Sequence, residues 1–343
     1  MVRNIRSSKL SPYLPVVINN DLIRAKYSMD LSERRMLYVA MSKINPEDQQ
    51  FNIISFTVSE YFELIEKSME NEKISRGGKQ YDIIKDGCRS LLRRLVEIQE
   101  GANWRVFQWC SRAEFNEDTS MISLKFHDDM KDYLLFMLEN RGFTKFLLKY
   151  ALPLSSTYAQ RFYEMFRGLV YPGAGVSYMR VDIADLKERL DLTDRYPAYK
   201  DFRKRVLQTA ESEINAKTDI CISFKEIRHK TRGRPIEAIN VTIQLKESMT
   251  HEWDRYLLWD KQDLLEKLRG MISKEIGQII VVEDLENYQH QAVARLVYEI
   301  SAGTVNLREV RNAKGFVAFM LNKYSDPTGI REQMLTAPEP AGK

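Results

Sequence analysis

Apolar positions first recur at helical spacing at Met36, Leu37, Ala40, Met41 and Ile44. Leu31-Ser32-Glu33 offers a serine N-cap for this helix, and Asn45-Pro46 ends it. Upstream, Val16-Val17-Ile18 reads as extended chain, and the polar residues 1–15, with Pro12 and Pro15, read as a mobile arm. Downstream, Phe56-Thr57-Val58 is a short strand, and Ser59-Glu60 opens a helix carrying Tyr61, Phe62 and Ile65. Residues 66–79 are polar and contain Gly77-Gly78, a loop. A third helix starts at Tyr81 and carries Ile84, Cys88, Leu91, Leu92 and Leu95. The period then changes to two. Trp104–Cys110 is one strand; in the next, Ile122, Leu124 and Phe126 alternate with Met121, Ser123 and Lys125, after a turn at Asn116–Ser120.

The same order returns. Leu154-Ser155-Ser156 caps a helix with Phe162, Met165, Phe166 and Leu169 inward, stopped at Tyr171-Pro172-Gly173. The stretch Val181–Leu186 matches Phe56–Tyr61 in pattern, and a helix near Ala198-Tyr199 matches the one at Gln80-Tyr81. Ile220, Ile222 and Phe224 alternate on one strand, and Ile239, Val241, Ile243 and Leu245 on the next. Helix, strand, helix, helix, hairpin is the order of a winged helix, and finding it twice argues for a duplicated domain. The expected fold class is α+β: two tandem winged-helix domains over residues 16–142 and 143–246, then a helical extension over 247–325 and a frayed tail over 326–343. The extension carries Trp253, Tyr256, Leu264, Leu265, Leu268, Ala292, Leu296, Val297, Phe316, Phe319, Met320 and Leu321 at helical spacing. It reads as packing on the second winged helix or, more sharply, as a handle for a partner protein.

Length and composition narrow the classes. The 343 residues suit two domains or more, and 44% hydrophobic with 29% charged residues is a globular composition. No apolar run approaches the roughly 18 residues of a membrane span. The N-terminus MVRNIRSSKL has no apolar signal segment, and Cys88, Cys110 and Cys221 are too few for a disulfide framework or zinc site, so a cytoplasmic protein without membrane contact is expected. Residues 1–246 carry 40 Lys and Arg against 33 Asp and Glu, whereas residues 247–343 carry 12 against 15. The body is basic and the C-terminal part acidic.

Catalytic and cofactor motifs do not turn up. Gly78-Lys79 lacks the earlier glycine of a phosphate loop, since position 73 is lysine. His127, His229, His251 and His290 form no His-x-His pair, His251-Glu252 does not continue to a second histidine, and no G-x-S-x-G occurs. No metal, cofactor or enzymatic activity is expected.

Basic residues, by contrast, fall at two defined places in the second repeat. Phe202, Val206, Ala210 and Ile214 share the inner face of its last helix, which leaves Lys200, Lys204, Arg205 and Gln208 outward and Arg203 at the core edge, able to snorkel out. Long donors near the start of an exposed helix are what a major-groove reader needs, because Arg and Lys meet guanine O6 and N7 and Gln meets adenine N6 and N7. A solvated basic face would look the same. The hairpin tilts the choice: residues 224–234 hold Lys225, Arg228, Lys230, Arg232 and Arg234 against Glu226, a tip suited to phosphate. Base reading is therefore assigned to Lys200, Arg203, Lys204, Arg205 and Gln208. Phosphate contact is assigned to Arg161, Arg228, Lys230, Arg232 and Arg234. In the first repeat the hairpin tip Asn116-Glu117-Asp118 is acidic, and phosphate contact is left to Lys79, Lys85, Arg89 and Arg93 on its third helix.

The chain resembles the replication initiators of iteron plasmids, the twin winged-helix Rep proteins. The resemblance rests on Val17–Leu22, Leu31–Arg35, Phe143–Phe146, Leu154–Glu164, Tyr199–Arg203, Glu213–Asn215 and Arg232-Gly233-Arg234, and spans about residues 14–246. It implies monomers that bind direct repeats of double-stranded DNA at a plasmid origin, help to open the duplex and recruit host replication proteins such as the replicative helicase. It also implies homodimers, formed through the first winged helix, that repress their own gene at an inverted repeat, with residues 199–208 in the main reader. A winged-helix transcription regulator without initiator activity is the alternative, and a rolling-circle nicking enzyme a more distant one.

Overall fold

A computed structural model describes residues 10–44, 48, 50–69, 79–100, 102–135, 142–170, 175–229, 235–246, 256, 261–276, 290–301, 305, 307 and 313–325. The chain divides into two compact units, Met1–Met249 and Thr250–Lys343.

The first unit begins with strand β1 (Pro15–Asn19) and helices α1 (Asn20–Arg24) and α2 (Leu31–Met41), followed by β2 (Ile54–Thr57), α3 (Val58–Ser68) and α4 (Lys79–Leu91). Four strands follow: β3 (Leu95–Glu100), β4 (Asn103–Gln108), β5 (Cys110–Asn116) and β6 (Met121–Phe126), then the short helix α5 (Lys131–Leu134). The order restarts with β7 (Phe143–Leu147), α6 (Leu148–Ala151), α7 (Thr157–Arg167), β8 (Val176–Asp182) and α8 (Ile183–Arg189). A long helix comes next, built from α9 (Tyr199–Phe202), a π turn at Arg203–Leu207 and α10 (Gln208–Lys217). Strands β9 (Ile220–Arg228) and β10 (Ile236–Leu245) close the unit.

The two halves share a topology. One sheet has the order β2-β6-β5 and the other β8-β10-β9, so in each the strand between the first two helices pairs with the last strand of the hairpin. That is the arrangement expected of two winged helices. Capping shows how the sequence sets the helix starts. The N-cap of α2 is Asp30, not Ser32: Asp30 Oδ1 accepts from Glu33 N at 2.9 Å and Glu33 Oε2 accepts from Asp30 N at 2.7 Å. A carboxylate at the N-cap with a glutamate three residues on satisfies two orphan N–H groups at once. Thr57 and Glu60 do the same for α3. Helix α4 stops at Leu91, short of the expected Leu95, because Val96 and Ile98 alternate inward as β3. The β3–β4 hairpin lies between the last helix and the wing and has no counterpart in the second half.

Strands β1 and β7 pair antiparallel, Pro15 opposite Leu147 and Asn19 opposite Phe143, with Val17 and Lys145 at the centre. Each leads into a short helix and then the first helix of its winged helix. The cut drawn between residues 142 and 143 thus runs just before a strand that joins the two halves. Helix α7 is buried on both sides. Phe162 and Phe166 lie 5.8 and 6.2 Å from the Phe224 ring on β9. Burying each such ring is worth roughly 1.5–3 kcal/mol. Met165 is half-buried and Leu169 exposed, both outside the face expected for them, since polar side chains take the second buried face.

That face carries charge. Glu164 accepts from Tyr38 Oη at 2.7 Å, Arg161 Nη1 at 3.1 Å, Arg34 Nη1 at 3.2 Å and Tyr27 Oη at 3.3 Å. Burial opposes the charge on Arg34, but Glu164, with Tyr27 and Tyr38, outweighs it and raises the arginine pKa. Nearby, Arg167 Nε and Tyr163 Oη donate to Asp219 at 2.7 and 2.8 Å.

The second unit is helical where it is described, with helices Lys261–Ile276, His290–Ser301 and Ala313–Ser325. Leu264, Leu265, Leu268, Ala292, Leu296, Val297, Met320 and Leu321 are buried as the spacing requires, whereas Phe319 is exposed. Trp253, the tail 326–343 and the arm residues 1–9 lie outside the described residues. No helix among the described residues is long and apolar enough to cross a membrane.

Candidate nucleic-acid interface

The long helix of the second half packs Phe202, Val206, Leu207, Ala210 and Ile214 into the core. Lys200, Arg203, Lys204, Arg205 and Gln208 are all exposed. The π turn explains why Arg203 is out and not at the core edge. The Gln208 N–H reaches back five residues to the Arg203 carbonyl, which widens the helix. Val206 and Leu207 then face inward together, and Arg203, Lys204 and Arg205 face outward together.

The start of this helix is fixed by a strained loop. Tyr196 has φ of 53°, a left-handed conformation that a bulky side chain adopts at a cost of about 1–3 kcal/mol. Lys187 Nζ on α8 donates to the carbonyls of Arg195 and Tyr196 at 3.2 and 2.8 Å and lies 5.5 Å from the Phe202 ring. The hydroxyls of Tyr196 and Tyr158 meet at 3.4 Å. Burial, with Tyr196 beside it, pushes the Tyr158 phenol up to about 12, so it stays neutral.

Arg228 ends β9, exposed and beside the helix. Glu226 links the two: its Oε1 is 3.3 Å from Arg203 Nε and its Oε2 3.7 Å from Arg228 Nη2. The Tyr199 hydroxyl lies near the same carboxylate, and burial and that charge push it up to about 12. Sequence reasoning passed over Glu226 and Tyr199. The signal for Glu226 was available, since the alternation Ile222, Phe224 continues to Glu226 on one strand face. Lys230, Arg232 and Arg234 at the hairpin tip lie outside the described residues.

Arg161, expected at the phosphate surface, does not reach it. It is buried, with its guanidinium donating to the Tyr27 hydroxyl, to Glu164 and, at 2.9 Å, to the Ala25 carbonyl, and stacked 3.9 Å from the Tyr27 ring. Its place on an inward turn of α7, next to Phe162, removes it from solvent.

In the first half two cations of α4, Lys85 and Arg89, face acids. Lys85 pairs with Glu117 of the β5–β6 turn, so the acidic tip folds onto the helix, and Arg89 pairs with Asp86 at 3.2 Å. Arg93 is exposed but lies in the turn after α4, not on it, and Lys79 opens the helix. Cations paired with acids attract phosphate weakly.

Two family models match the chain: Initiator Replication protein, WH1, over residues 15–167, and Initiator Rep protein, WH2, over residues 182–243. The first runs through α7, consistent with that helix being buried against both halves. The PI protein of Escherichia coli is 22% identical over 253 residues, covering 66% of this chain and 82% of that protein. A crystal structure of the Pi initiator protein in complex with iteron DNA superposes with a TM-score of 0.57 at 19% identity, over 70% of this chain and 100% of that one. At that identity the likeness establishes a shared fold.

Proposed function

Because this chain belongs to the initiator replication protein family, with both of its winged-helix domains, we propose that it initiates plasmid replication by binding iteron direct repeats in duplex DNA. The observation that carries this reading is the row of exposed long donors, Lys200, Arg203, Lys204, Arg205 and Gln208, on a helix whose other face is locked in the core. Such a helix enters a major groove, and the neighbouring hairpin with Arg228, Lys230, Arg232 and Arg234 grips phosphate. The solved relative in complex with iteron DNA supports the same class of ligand.

The first winged helix, with an acid-paired helix surface, serves self-association and auxiliary DNA contacts. One protomer occupies each direct repeat, whereas a two-fold dimer fits an inverted repeat and represses the protein's own gene. Bound protomers help to open the duplex and recruit host replication proteins such as the replicative helicase. The protein works in the cytoplasm, without a catalytic step of its own.

The test is a plasmid that carries the gene and its flanking DNA. Footprinting should show protection in direct repeats about two helical turns long, and the triple change of Lys200, Arg203 and Lys204 to Ala should abolish both protection and plasmid maintenance. Protection of an inverted repeat alone, with maintenance unaffected, would assign the protein to transcriptional regulation.

A further inference from the structure

Glu226 is the acid in an otherwise basic wing segment that carries Lys225, Arg228, Lys230, Arg232 and Arg234. On a surface that meets phosphate, a carboxylate weakens binding, because repulsion acts within roughly 8 Å at physiological salt. Its position says what it supplies in return. Strand alternation puts it on the face of β9 that carries Ile222 and Phe224, at the rim where the core ends and the long helix begins. There it lies 3.3 Å from Arg203 Nε, 3.7 Å from Arg228 Nη2 and beside the Tyr199 hydroxyl, joining helix to wing. An arginine ion-paired on its Nε side keeps the four N–H donors of its two terminal nitrogens, a fork that fits guanine O6 and N7.

We propose that Glu226 is a positioning residue for base recognition: by pairing with Nε it aims the Arg203 guanidinium at a guanine, and through Arg228 it fixes the wing at the matching distance. The inference rests on the reading of the second winged helix as the DNA reader. An unpaired Arg203 would sample many rotamers and contact phosphates as readily as bases. Glu226 thus trades overall affinity for discrimination at one base pair.

The experiment uses the full chain and its Arg203→Ala, Glu226→Gln and double variants to select duplexes from a randomised pool, with the bound fraction sequenced. Arg203→Ala should erase one guanine preference. Glu226→Gln should reduce that same preference about tenfold, leave the others in place, and add nothing to Arg203→Ala. It should also bind random duplex as tightly as the native chain or more tightly. A Glu226→Gln motif identical to the native one, or losses at base pairs that Arg203→Ala leaves untouched, overturns the proposal. Arg203→Lys is a second variant that tests the geometry even if Glu226→Gln loosens the wing. It keeps the charge pair but has no fork to be aimed, so adding Glu226→Gln to it should change the guanine preference no further, and a further tenfold loss overturns the proposal. A native chain that enriches no motif overturns the reading of this helix as a base reader, a separate result that takes this inference with it.

Discussion

Replacing Glu164 with Gln should be among the costliest single changes in the chain, although the residue lies away from the proposed DNA surface. Its carboxylate accepts hydrogen bonds from four side chains, Arg34, Arg161, Tyr27 and Tyr38, and the two arginine side chains are only 3% exposed. Glutamine keeps the volume but removes the counter-charge and points N–H groups at two guanidinium groups. Breaking a buried ion pair by removing one partner costs about 3–5 kcal/mol, because the other charge stays uncompensated. For a unit of this size each kcal/mol lowers Tm by about 2–4 °C, so the expected drop is roughly 6–20 °C. Calorimetry of the full chain reads this directly. Replacing Arg34, Arg161 and Glu164 together by apolar residues of like volume should cost far less, since no charge is then stranded. A Tm within about 2 °C of the native value for Glu164→Gln would refute the account, because it would mean that the cluster is hydrated and not buried.

Further outcomes follow from the same structure. Changing Arg232 and Arg234 to Ala should weaken binding to all duplexes alike and flatten the salt dependence of log Kd by about two units of slope, read by titration at several salt concentrations. Single Ala changes at Lys200 or Lys204 should each cost about 1–3 kcal/mol of discrimination and relax preference at one base pair, read by competition between matched and mismatched duplexes. Burial pushes the Cys110 thiol up to about 12 and the Cys88 thiol up to about 11, so both stay protonated well above neutral pH. At pH 8 an alkylating reagent should label Cys221 in the folded protein and reach Cys88 and Cys110 only after unfolding, as mass spectrometry of the peptides would show. A chain ending at Met249, the edge of the first compact unit, should keep duplex binding and lose origin activity if the C-terminal helices dock a host protein; full origin activity in cells would remove that role.

Both winged helices are legible in the sequence because their elements are short and strongly patterned, and because the order occurs twice. The inner face of the reader is legible too: Phe202, Val206, Ala210 and Ile214 keep helical spacing and are all buried. What spacing does not carry is the π turn, which depends on a local shift in hydrogen bonding and frees Arg203 from the core edge. Arg161 misleads for a related reason. A basic residue near a helix start reads as surface, and only the partners Tyr27 and Glu164, the former 134 residues away, make its burial tolerable. The strand β3 is missed because Leu95 fits the preceding helix by period as well as it fits the strand. Glu226 differs again, since its register is readable but its meaning needs Arg203 and Arg228 on either side.

The paired lead strands β1 and β7 have a consequence for DNA spacing. A flexible tether between two binding domains lets each find its own contact, and extra base pairs between the contacts are absorbed by the tether. Here the register from Pro15–Leu147 to Asn19–Phe143, together with the doubly buried α7, replaces the tether with a fixed joint. One base pair inserted between the two contact regions would rotate them apart by about 34° around the duplex, at 10–10.5 base pairs per turn. The protein then has to twist the DNA or give up one contact. If both halves contact DNA as proposed, such a joint makes the chain a gauge of helical phase, sensitive to where bases lie around the duplex axis as well as to which bases they are.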